Sequence, residues 1–241
     1  MSRAGNEFGG PAKQRSGWLI PLGVFLVTAV LTGLVLLYYL SPTPSELIEE
    51  QAAPTDSSAL VALTVGRQGF HIPANYIPFA SARKGGTLDE LTLVALLPDL
   101  QGYATGEAQA FADNSAESRV VNFTIRNQAI LAERDRMARI YLPQVQNRDG
   151  TPGPYELTQY AFRADSGYRD EEMFVGDTDK GPMVLRCTKP APDAVAPSCL
   201  RDMPLGPNLA LSYRFKRAHL PDWHEIDSSV RALIGAFMDK S

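Results

Sequence analysis

One stretch of the chain restricts its possible folds more than any other. Residues 18–40 (WLIPLGVFLVTAVLTGLVLLYYL) contain no charged side chain over 23 consecutive positions. A helix of this length measures about 35 Å, and the hydrocarbon core of a bilayer is about 30 Å thick. Because lipid offers the backbone no hydrogen-bonding partner, such a segment crosses the bilayer as a helix. The stretch therefore predicts a single transmembrane helix.

The side chains within the stretch agree with this prediction. Aromatic rings, which favour the headgroup layer, lie near its two ends, and its terminal positions are Trp18, Tyr38, Tyr39 and Leu40. Pro21 falls in the first turn, where a missing amide hydrogen costs little. Ala29 and Gly33 are four residues apart and would let a second helix approach closely. Small residues are common in such helices, so we prefer to treat this spacing as coincidental.

The charges on either side of the stretch predict its orientation. Residues 1–17 carry a net charge of +2, whereas residues 41–59 are acidic. The positive-inside rule then places the N-terminus in the cytoplasm and the following domain across the membrane. The alternative is a cleaved signal peptide, whose apolar core spans about 7–15 residues and ends at small residues. The longer stretch, followed by Pro42 and Pro44, favours a retained anchor.

We therefore divide the chain into four parts. Residues 1–17 are a cytoplasmic tail, 18–40 the transmembrane helix, 41–59 a flexible linker rich in Pro, Ser, Thr and Glu, and 60–241 a periplasmic domain. The last part is long enough for one domain with a real core. Arginine far outnumbers lysine and alanine is abundant, which is typical of a GC-rich bacterium. The predicted location is thus the bacterial inner (cytoplasmic) membrane.

Hydrophobic patterning beyond residue 60 predicts an α+β fold, a mainly antiparallel sheet with one or two packed helices. The predicted strands are 60–65, 70–72, 91–97, 121–126, 155–162, 171–176, 182–188 and 208–216. The strand 91–97 is apolar at nearly every position, which predicts that both of its faces are covered. The segment 128–142 fits a helix, although its last six residues fit a strand equally well.

The chain ends with a pattern typical of an amphipathic helix over 227–238. Its apolar stripe consists of Val230, Leu233, Ile234, Phe237 and Met238. Asp227 or Ser228 is suited to cap its N-terminus. A helix of this kind packs more often on its own sheet than on a partner, and we expect that here.

The two cysteines, Cys187 and Cys199, both follow the predicted membrane span. In an oxidising compartment they are expected to form a disulfide, which stabilises a loop of this length by about 3 kcal/mol. Met183, Leu185 and Cys187 share one strand face, so Cys187 is predicted to point inward and to hold the proline-rich loop of Cys199 at the domain edge. No histidine or further cysteine is close in sequence, so we predict no metal site.

Charge and motifs exclude several functions. The chain beyond residue 17 carries a net charge of −6, which argues against nucleic-acid binding. It has no GxSxG, GxGxxG, GxxxxGK[ST] or CxxC motif, so no catalytic residue or cofactor is predicted. The acidic runs 170–172 and 177–179 lack the spacing of a calcium loop and are interpreted as exposed turn residues.

Histidines offer the one weak indication of catalysis. Among His71, His219 and His224, the last is followed by Glu225 and Asp227, and an imidazole beside carboxylates can act as a general base or a ligand. The spacing matches no metal template and falls in a predicted strand-to-helix loop. We therefore interpret His224 as a solvated loop residue and His71 as a surface residue of a strand.

Three basic residues, Arg186, Arg214 and Lys216, are predicted to lie on outer strand faces. On an acidic domain they could receive an acidic partner or an anionic ligand. The simpler interpretation is cross-strand pairing with Glu156, Glu171 or Glu172, which keeps a sheet face soluble. The sequence leaves both interpretations open.

The leading hypothesis is a non-catalytic interaction, assembly or accessory subunit of a bacterial envelope or membrane complex. Its expected partners are the lipid bilayer and other membrane or periplasmic proteins. A second hypothesis is a periplasmic module that binds or senses a small ligand or peptide, which predicts a concave apolar pocket with a few polar groups. A third is an enzyme with a non-standard site near His224, which requires His219, His224, Glu225 and Asp227 to converge in a cleft.

Overall fold

The computed structural model describes residues 18–40, 50–191 and 196–239, and in the first range it describes the side chains of residues 18 and 20–36. The chain divides into two compact units, Met1–Glu50 and Gln51–Ser241. The predicted cytoplasmic tail, residues 41–49 of the predicted linker, and the side chains of Tyr38, Tyr39 and Leu40 lie outside the described residues.

The first unit contains one helix, α1 (Leu19–Leu40), in its described residues. Its large apolar side chains are exposed on all sides, with Phe25 68% and Leu34 58% exposed. Within the described parts of the chain, no helix is both long enough and apolar enough to qualify as a membrane span.

The second unit is an α+β domain. Its described strands are β1 (Leu60–Val65), β2 (Gln68–Pro73), β3 (Gly86–Leu88), β4 (Glu90–Leu96), β5 (Val120–Arg126), β6 (Thr151–Pro152), β7 (Thr158–Ala161), β8 (Glu171–Thr178), β9 (Gly181–Thr188), β10 (Ser198–Gly206) and β11 (Leu209–Lys216). Its described α-helices are α2 (Ala108–Ala112), α3 (Glu133–Arg136) and α4 (Trp223–Phe237).

The strands form two sheets. The large sheet has the order β4-β5-β11-β10-β9-β8-β7-β6, and all its neighbours are antiparallel. The small sheet has the order β2-β1-β3, with β1 antiparallel to β2 and parallel to β3. The prediction of a mainly antiparallel α+β domain is therefore confirmed, and so is the hairpin of β1 and β2, which turns at Gly66 with a φ of 62°.

The main core lies on one face of the large sheet. Strand β11 shows the predicted alternation: Leu211, Tyr213 and Phe215 are buried, whereas Arg214 is exposed. The apolar stripe of α4 packs into this core, as expected, through residues that include Val230, Ile234 and Phe237. Trp223 of α4 reaches Gly176 on β8, where an added Cβ would lie 2.6 Å from the indole ring. The absence of a side chain at Gly176 thus allows the helix to pack closely.

A second apolar cluster covers the opposite face of the sheet over strands β7–β9. It is formed by residues such as Tyr160, Met173 and Val184 together with Tyr141. Tyr141 belongs to the segment 128–142, which is helical at its C-terminal end: α3 is followed by a π-helical turn (Met137–Tyr141) and a 3₁₀ turn (Leu142–Gln144). The strand alternative for this segment is therefore wrong.

Several predicted boundaries are wrong. Strand β7 begins at Thr158, because Tyr155 and Glu156 adopt positive φ values of 57° and 61° and form a turn. Strand β4 buries one face fully but leaves Thr92 and Val94 half-buried on the other, so it is not covered equally on both faces. Helix α4 begins at Trp223, with Asp222 at the N-cap position, so neither Asp227 nor Ser228 caps it.

The predicted disulfide is present, but its surroundings differ from the prediction. Cys199 lies in strand β10, directly opposite Cys187 of β9, and both residues are completely buried. The bond therefore joins two neighbouring strands inside the sheet, and the predicted attachment of a loop at the domain edge is wrong. Strand β10 was not predicted from the sequence. Its inward positions are Cys199, Arg201 and Met203, and the charged Arg201 interrupts the apolar alternation that indicates a strand.

Candidate interaction surface

Away from the second cluster, the outer face of the large sheet carries mostly polar side chains. On β11, Ser212 and Arg214 point away from the core, and pairing with β5 and β10 puts Asn122 beside Arg214 and Asp202 beside Ser212. We call this surface the open face, and its residues are Thr92, Val94, Asn122, Thr124, Arg126, Leu200, Asp202, Ser212 and Arg214. Within the described ranges these residues belong to neither apolar cluster, and an antiparallel sheet can leave such a face to solvent or to a partner.

Two depressions border the open face. The first has a volume of about 410 Å³ and lies between residues 111–118 and the Arg214–Lys216 end of β11. The second has a volume of about 300 Å³ and lies between residues 128–140 and the Ala210–Ser212 end of the same strand. Because strand β11 runs from one depression to the other, the two belong to one continuous surface.

The first depression contains two of the predicted basic residues. Lys216 donates a hydrogen bond from Nζ to Asn114 Oδ1 at 2.7 Å, and Arg214 is exposed. Among the described residues, neither forms an ion pair. Asp113 also lines this depression, and hydrogen bonds from the Ser115 amide and hydroxyl, together with the charge of Lys216, hold its pKa below the ordinary value. The lining thus contains two cations and one carboxylate.

The third predicted residue, Arg186, is in a different environment. It lies on β9, separated from Arg214 by strand β10, and its Nη1 donates to Glu171 at 2.7 Å. Its guanidinium also lies 5.7 Å and 5.2 Å from the ring centres of Tyr141 and Tyr168. Arg186 therefore forms the predicted cross-strand pair with Glu171, and the structure does not bring all three basic residues together.

The second depression, which we call the Leu131 pocket, combines apolar and polar walls. It is lined by Arg126, Gln128, Ile130, Leu131, Arg136, Ile140, Asp202, Ala210 and Ser212. Leu131 is 43% exposed, one of few large apolar side chains exposed to that extent among the described residues of the second unit. Arg126 is paired with Glu90, their Nε and Oε2 atoms being 2.7 Å apart, and this pairing raises the pKa of Arg126. This mixture of walls is typical of a site that holds an amphipathic group.

Residues of α3 separate strands β9 and β10 beside this pocket. The two strands pair only at Cys187–Cys199 and Arg186–Leu200. Beyond these positions the Val184 amide donates to Glu133 Oε1 at 3.1 Å, and Arg136 donates to the Asp202 carbonyl. Side chains of α3 thus satisfy backbone groups that would otherwise pair across the two strands.

A buried ionic cluster lies next to this opening. Arg201, which is completely buried, donates from Nε and Nη2 to the two carboxylate oxygens of Glu133 at 2.9 Å and 2.7 Å, and its Nη1 pairs with Asp227. Asp227 also accepts hydrogen bonds from the Tyr213 hydroxyl at 3.1 Å and from Arg231 Nε at 2.9 Å. Burial raises the pKa of Tyr213 far above its ordinary value. The cluster connects β10, β11, α3 and α4, and its central members Arg201, Tyr213 and Asp227 are buried, which favours a structural role.

The structure divides the predicted histidine group between two depressions: His219 and Glu225 line one of about 250 Å³, and His224 and Asp227 line another of about 280 Å³. His224 and Glu225 are exposed on helix α4, not in a loop, whereas Asp227 is buried against Arg201. His219 lies in a 3₁₀ turn with its Nε2 3.1 Å from the Ser118 carbonyl. His71 is a surface residue of β2, as expected, and its Nδ1 lies 2.6 Å from Asp239 Oδ1. In the described part of the chain, no three His, Cys, Asp or Glu side chains are arranged to hold a metal ion.

Sequence reasoning missed the Leu131 pocket and the Arg201 cluster. The pocket depends on Arg136 and the cluster on Arg201, and both residues are buried. A charged residue in a sequence normally indicates a surface position, so neither burial was expected. The spacing of Glu133 and Arg136, one helical turn apart, is the only local signal that both side chains lie on one face of a helix.

These features define an α+β domain with an eight-stranded antiparallel sheet whose open face is polar. The same fold occurs in Smlt3025, an immunity protein of the Stenotrophomonas maltophilia type IV secretion system, with a TM-score of 0.53 and 17% identity over 80% of this chain and 100% of that one. It also occurs in FrpD, an iron-regulated outer membrane lipoprotein of Neisseria meningitidis, with a TM-score of 0.53 and 11% identity over 78% of this chain and 98% of that one.

At sequence identities of 17% and 11%, the similarity shows a common fold but not a common function. No protein-family model matches the chain, and no curated protein matches it in sequence. The assignment of a function therefore depends on the surface described above.

Proposed function

We propose that this chain is a non-catalytic, membrane-anchored interaction subunit of a bacterial envelope, and that its open face binds a protein partner. The observation that carries the proposal is the open face itself: nine mostly polar residues in register on four strands, bordered by depressions of about 410 Å³ and 300 Å³. The similarity to a secretion-system immunity protein and to an outer membrane lipoprotein supports a non-enzymatic role.

The anchoring part of the proposal rests on residues 18–40. The apolar side chains of α1 are exposed in the isolated chain, and exposed apolar surface of this extent requires cover by lipid or protein. We propose lipid as the main cover, with residues 1–17 in the cytoplasm, 41–59 as a tether and 60–241 in the periplasm. A tether of this length keeps the domain within tens of ångströms of the bilayer, near partners that are themselves in the membrane.

Site-specific crosslinking tests the proposed partner surface. A photoreactive residue at Asn122, on the open face, should capture one protein in cells, whereas the same residue at Arg148, an exposed loop position, should not. Arg214→Glu should abolish the Asn122 crosslink without changing the melting temperature, and Arg148→Glu should leave it intact. Equal crosslinking from both positions, or an intact crosslink in Arg214→Glu, would reject the open face as the binding surface.

A narrower candidate is an immunity protein that neutralises a toxin, and one observation favours it: the match to Smlt3025 extends over all of that chain. Under this proposal the open face binds the toxin. In mixed culture, a strain that lacks the gene should survive less well than its parent, and restoring the gene should restore its survival. Equal survival of the mutant and the parent in mixed culture would exclude this candidate and leave the broader one.

A further inference from the structure

The Leu131 pocket contains a buried cation without a counterion. Arg136 is 8% exposed, and its guanidinium donates to two backbone carbonyls, those of Leu131 and Asp202. Its Nε has no hydrogen-bond acceptor, and among the described residues no carboxylate lies within ion-pair distance of the guanidinium. Burial of an unpaired charge is costly, so a carboxylate brought into this pocket would be stabilised.

The other charged groups of the pocket already have partners. Arg126 is paired with Glu90, and the Asp202 carboxylate accepts a hydrogen bond from Ser212 and lies 3.6 Å from Arg186. The pocket therefore does not supply a carboxylate to Arg136 from within, although Asp202 lowers the local positive potential. Arg136 is therefore the cation in the pocket that has no carboxylate partner and could pair with an incoming anion.

The wall beside Arg136 is apolar. Leu131 is 43% exposed, and Ile130 and Ile140 are partly exposed on the same side of the pocket. An aliphatic side chain placed against this wall would remove apolar surface from water, which stabilises binding in proportion to the area covered. A volume of about 300 Å³ accommodates one or two side chains and is too small for a folded element.

Taken together, the geometry points to a specific occupant: a protein segment in which an aliphatic side chain lies next to an aspartate or glutamate. The aliphatic group contacts Leu131, Ile130 and Ile140, and the carboxylate pairs with Arg136. This inference rests on the proposed function, because it names the partner chemistry at one end of the open face. An anchor of this kind, with an apolar centre and a charge pair, is typical of the few residues that dominate a protein interface.

Methyl-labelled full-length chain in detergent micelles, observed by NMR, provides the test. The probe is acetyl-Gly-Asp-Leu-Gly-amide. Three controls accompany it: acetyl-Gly-Asn-Leu-Gly-amide lacks the charge, acetyl-Gly-Asp-Gly-Gly-amide lacks the aliphatic group, and sodium acetate is a free carboxylate. We expect saturable shifts of the Ile130 and Ile140 methyl signals with the first peptide. Each of the other probes should bind at least about tenfold more weakly, because each lacks either a charge-assisted hydrogen bond or a buried leucine.

Two variants of the chain make the test specific. Leu131→Ser removes the exposed wall while keeping the backbone carbonyl to which Arg136 donates, and it should weaken binding of the Asp-Leu peptide about fivefold or more. Leu60→Ser, at a leucine that is 66% exposed on β1, is the matched control and should bind like the parent. Arg136→Lys retains the charge but removes the forked donor group, and it should also weaken binding if the variant remains folded.

The inference fails if the Asn-Leu peptide binds as tightly as the Asp-Leu peptide, if Leu131→Ser binds like Leu60→Ser, or if methyl shifts are absent or spread evenly over the domain. Failure of these measurements together with a preserved crosslink from Asn122 would remove the pocket but keep the proposed function. Specific peptide binding together with a failed crosslink would reject the open face as a protein interface and leave the pocket as a peptide site.

Discussion

Arg201 connects α3 and α4 to the sheet inside the domain. It carries a positive charge at a completely buried position and bridges Glu133 and Asp227. Removal of one member of a buried ion pair leaves the other charge without compensation, which costs about 3–5 kcal/mol. The remaining carboxylates here are Glu133, which would lose its cation, and Asp227, which would keep its pair with Arg231.

We therefore expect Arg201→Ala to lower the free energy of unfolding by about 3–5 kcal/mol, measured by urea denaturation. Arg214→Ala, on the neighbouring strand but exposed, is the control and should change stability by less than about 0.5 kcal/mol. Similar losses in the two variants would show that the buried cluster contributes no more than a surface residue does.

Tyr213 makes the stability of the domain sensitive to alkaline pH. Burial raises the pKa of its phenol far above the ordinary value of about 10. The unfolded chain therefore releases this proton near pH 10 while the folded chain retains it. The stabilisation linked to Tyr213 is complete below that pH and decreases as the pH rises above it.

Tyr213→Phe removes this dependence together with the hydrogen bond to Asp227. At pH 8 we expect the variant to be less stable than the parent by about 1 kcal/mol, the typical value for one hydrogen bond. Urea titrations at pH 8–11 should show this difference shrinking above about pH 10, since only the parent loses stability through this phenol. A difference that stays constant over the whole range would mean that Tyr213 ionises equally in both states.

At the scale of elements, the junction between β9 and β10 is short for two strands of eight and nine residues. Two residue pairs hold the strands together, and one of them is the Cys187–Cys199 disulfide. Below it, Glu133 and Arg136 of α3 bond to the two strands in place of a continuous ladder. The opening places α3 beside the open face and so creates the Leu131 pocket.

Replacement of both cysteines by alanine should therefore destabilise the domain and loosen this junction first. The chain-entropy model gives a loss of about 3 kcal/mol for a crosslink that spans 12 residues. Urea denaturation measures the loss, and amide hydrogen exchange should accelerate at Val184 and Asp202, which face the junction, before it does so in β4 and β5. A loss below about 1 kcal/mol, or uniform acceleration, would show that the strands are held together mainly by other contacts.

For the whole molecule, the proposal is an α+β domain suspended from a membrane by an apolar helix. Reporter fusions test this arrangement. Alkaline phosphatase fused after Ser241 should be active, and a fluorescent protein that folds only in the cytoplasm should remain dark at the same position. Deletion of residues 18–40 should reverse both results, because export and anchoring depend on the apolar stretch. A bright cytoplasmic reporter on the intact chain would overturn the orientation.

Much of the element structure could be predicted from the chain alone. The hairpin at Gly66, the alternation of Leu209–Lys216 and the apolar stripe of the last helix are local patterns with periods of 2 and 3.6 residues. The disulfide followed from the presence of two cysteines in a chain with an apolar N-terminal stretch. In each case neighbouring residues carry the information, so no knowledge of distant contacts was required.

The candidate site depended on contacts between distant parts of the chain. Arg201 is buried because Glu133 and Asp227 compensate its charge. Glu133 lies 68 residues before it in sequence and Asp227 lies 26 residues after it, so no local pattern indicates that these three side chains meet. Helix α4 begins at Trp223, four residues before the predicted start at Asp227. Asp227 lies inside the helix, where it pairs with Arg201 and does not cap the N-terminus. The sequence by itself determined the α+β class, most strands and the cysteine pairing. Only the tertiary structure decided which charged residues are buried, and therefore where the open face and its pocket lie.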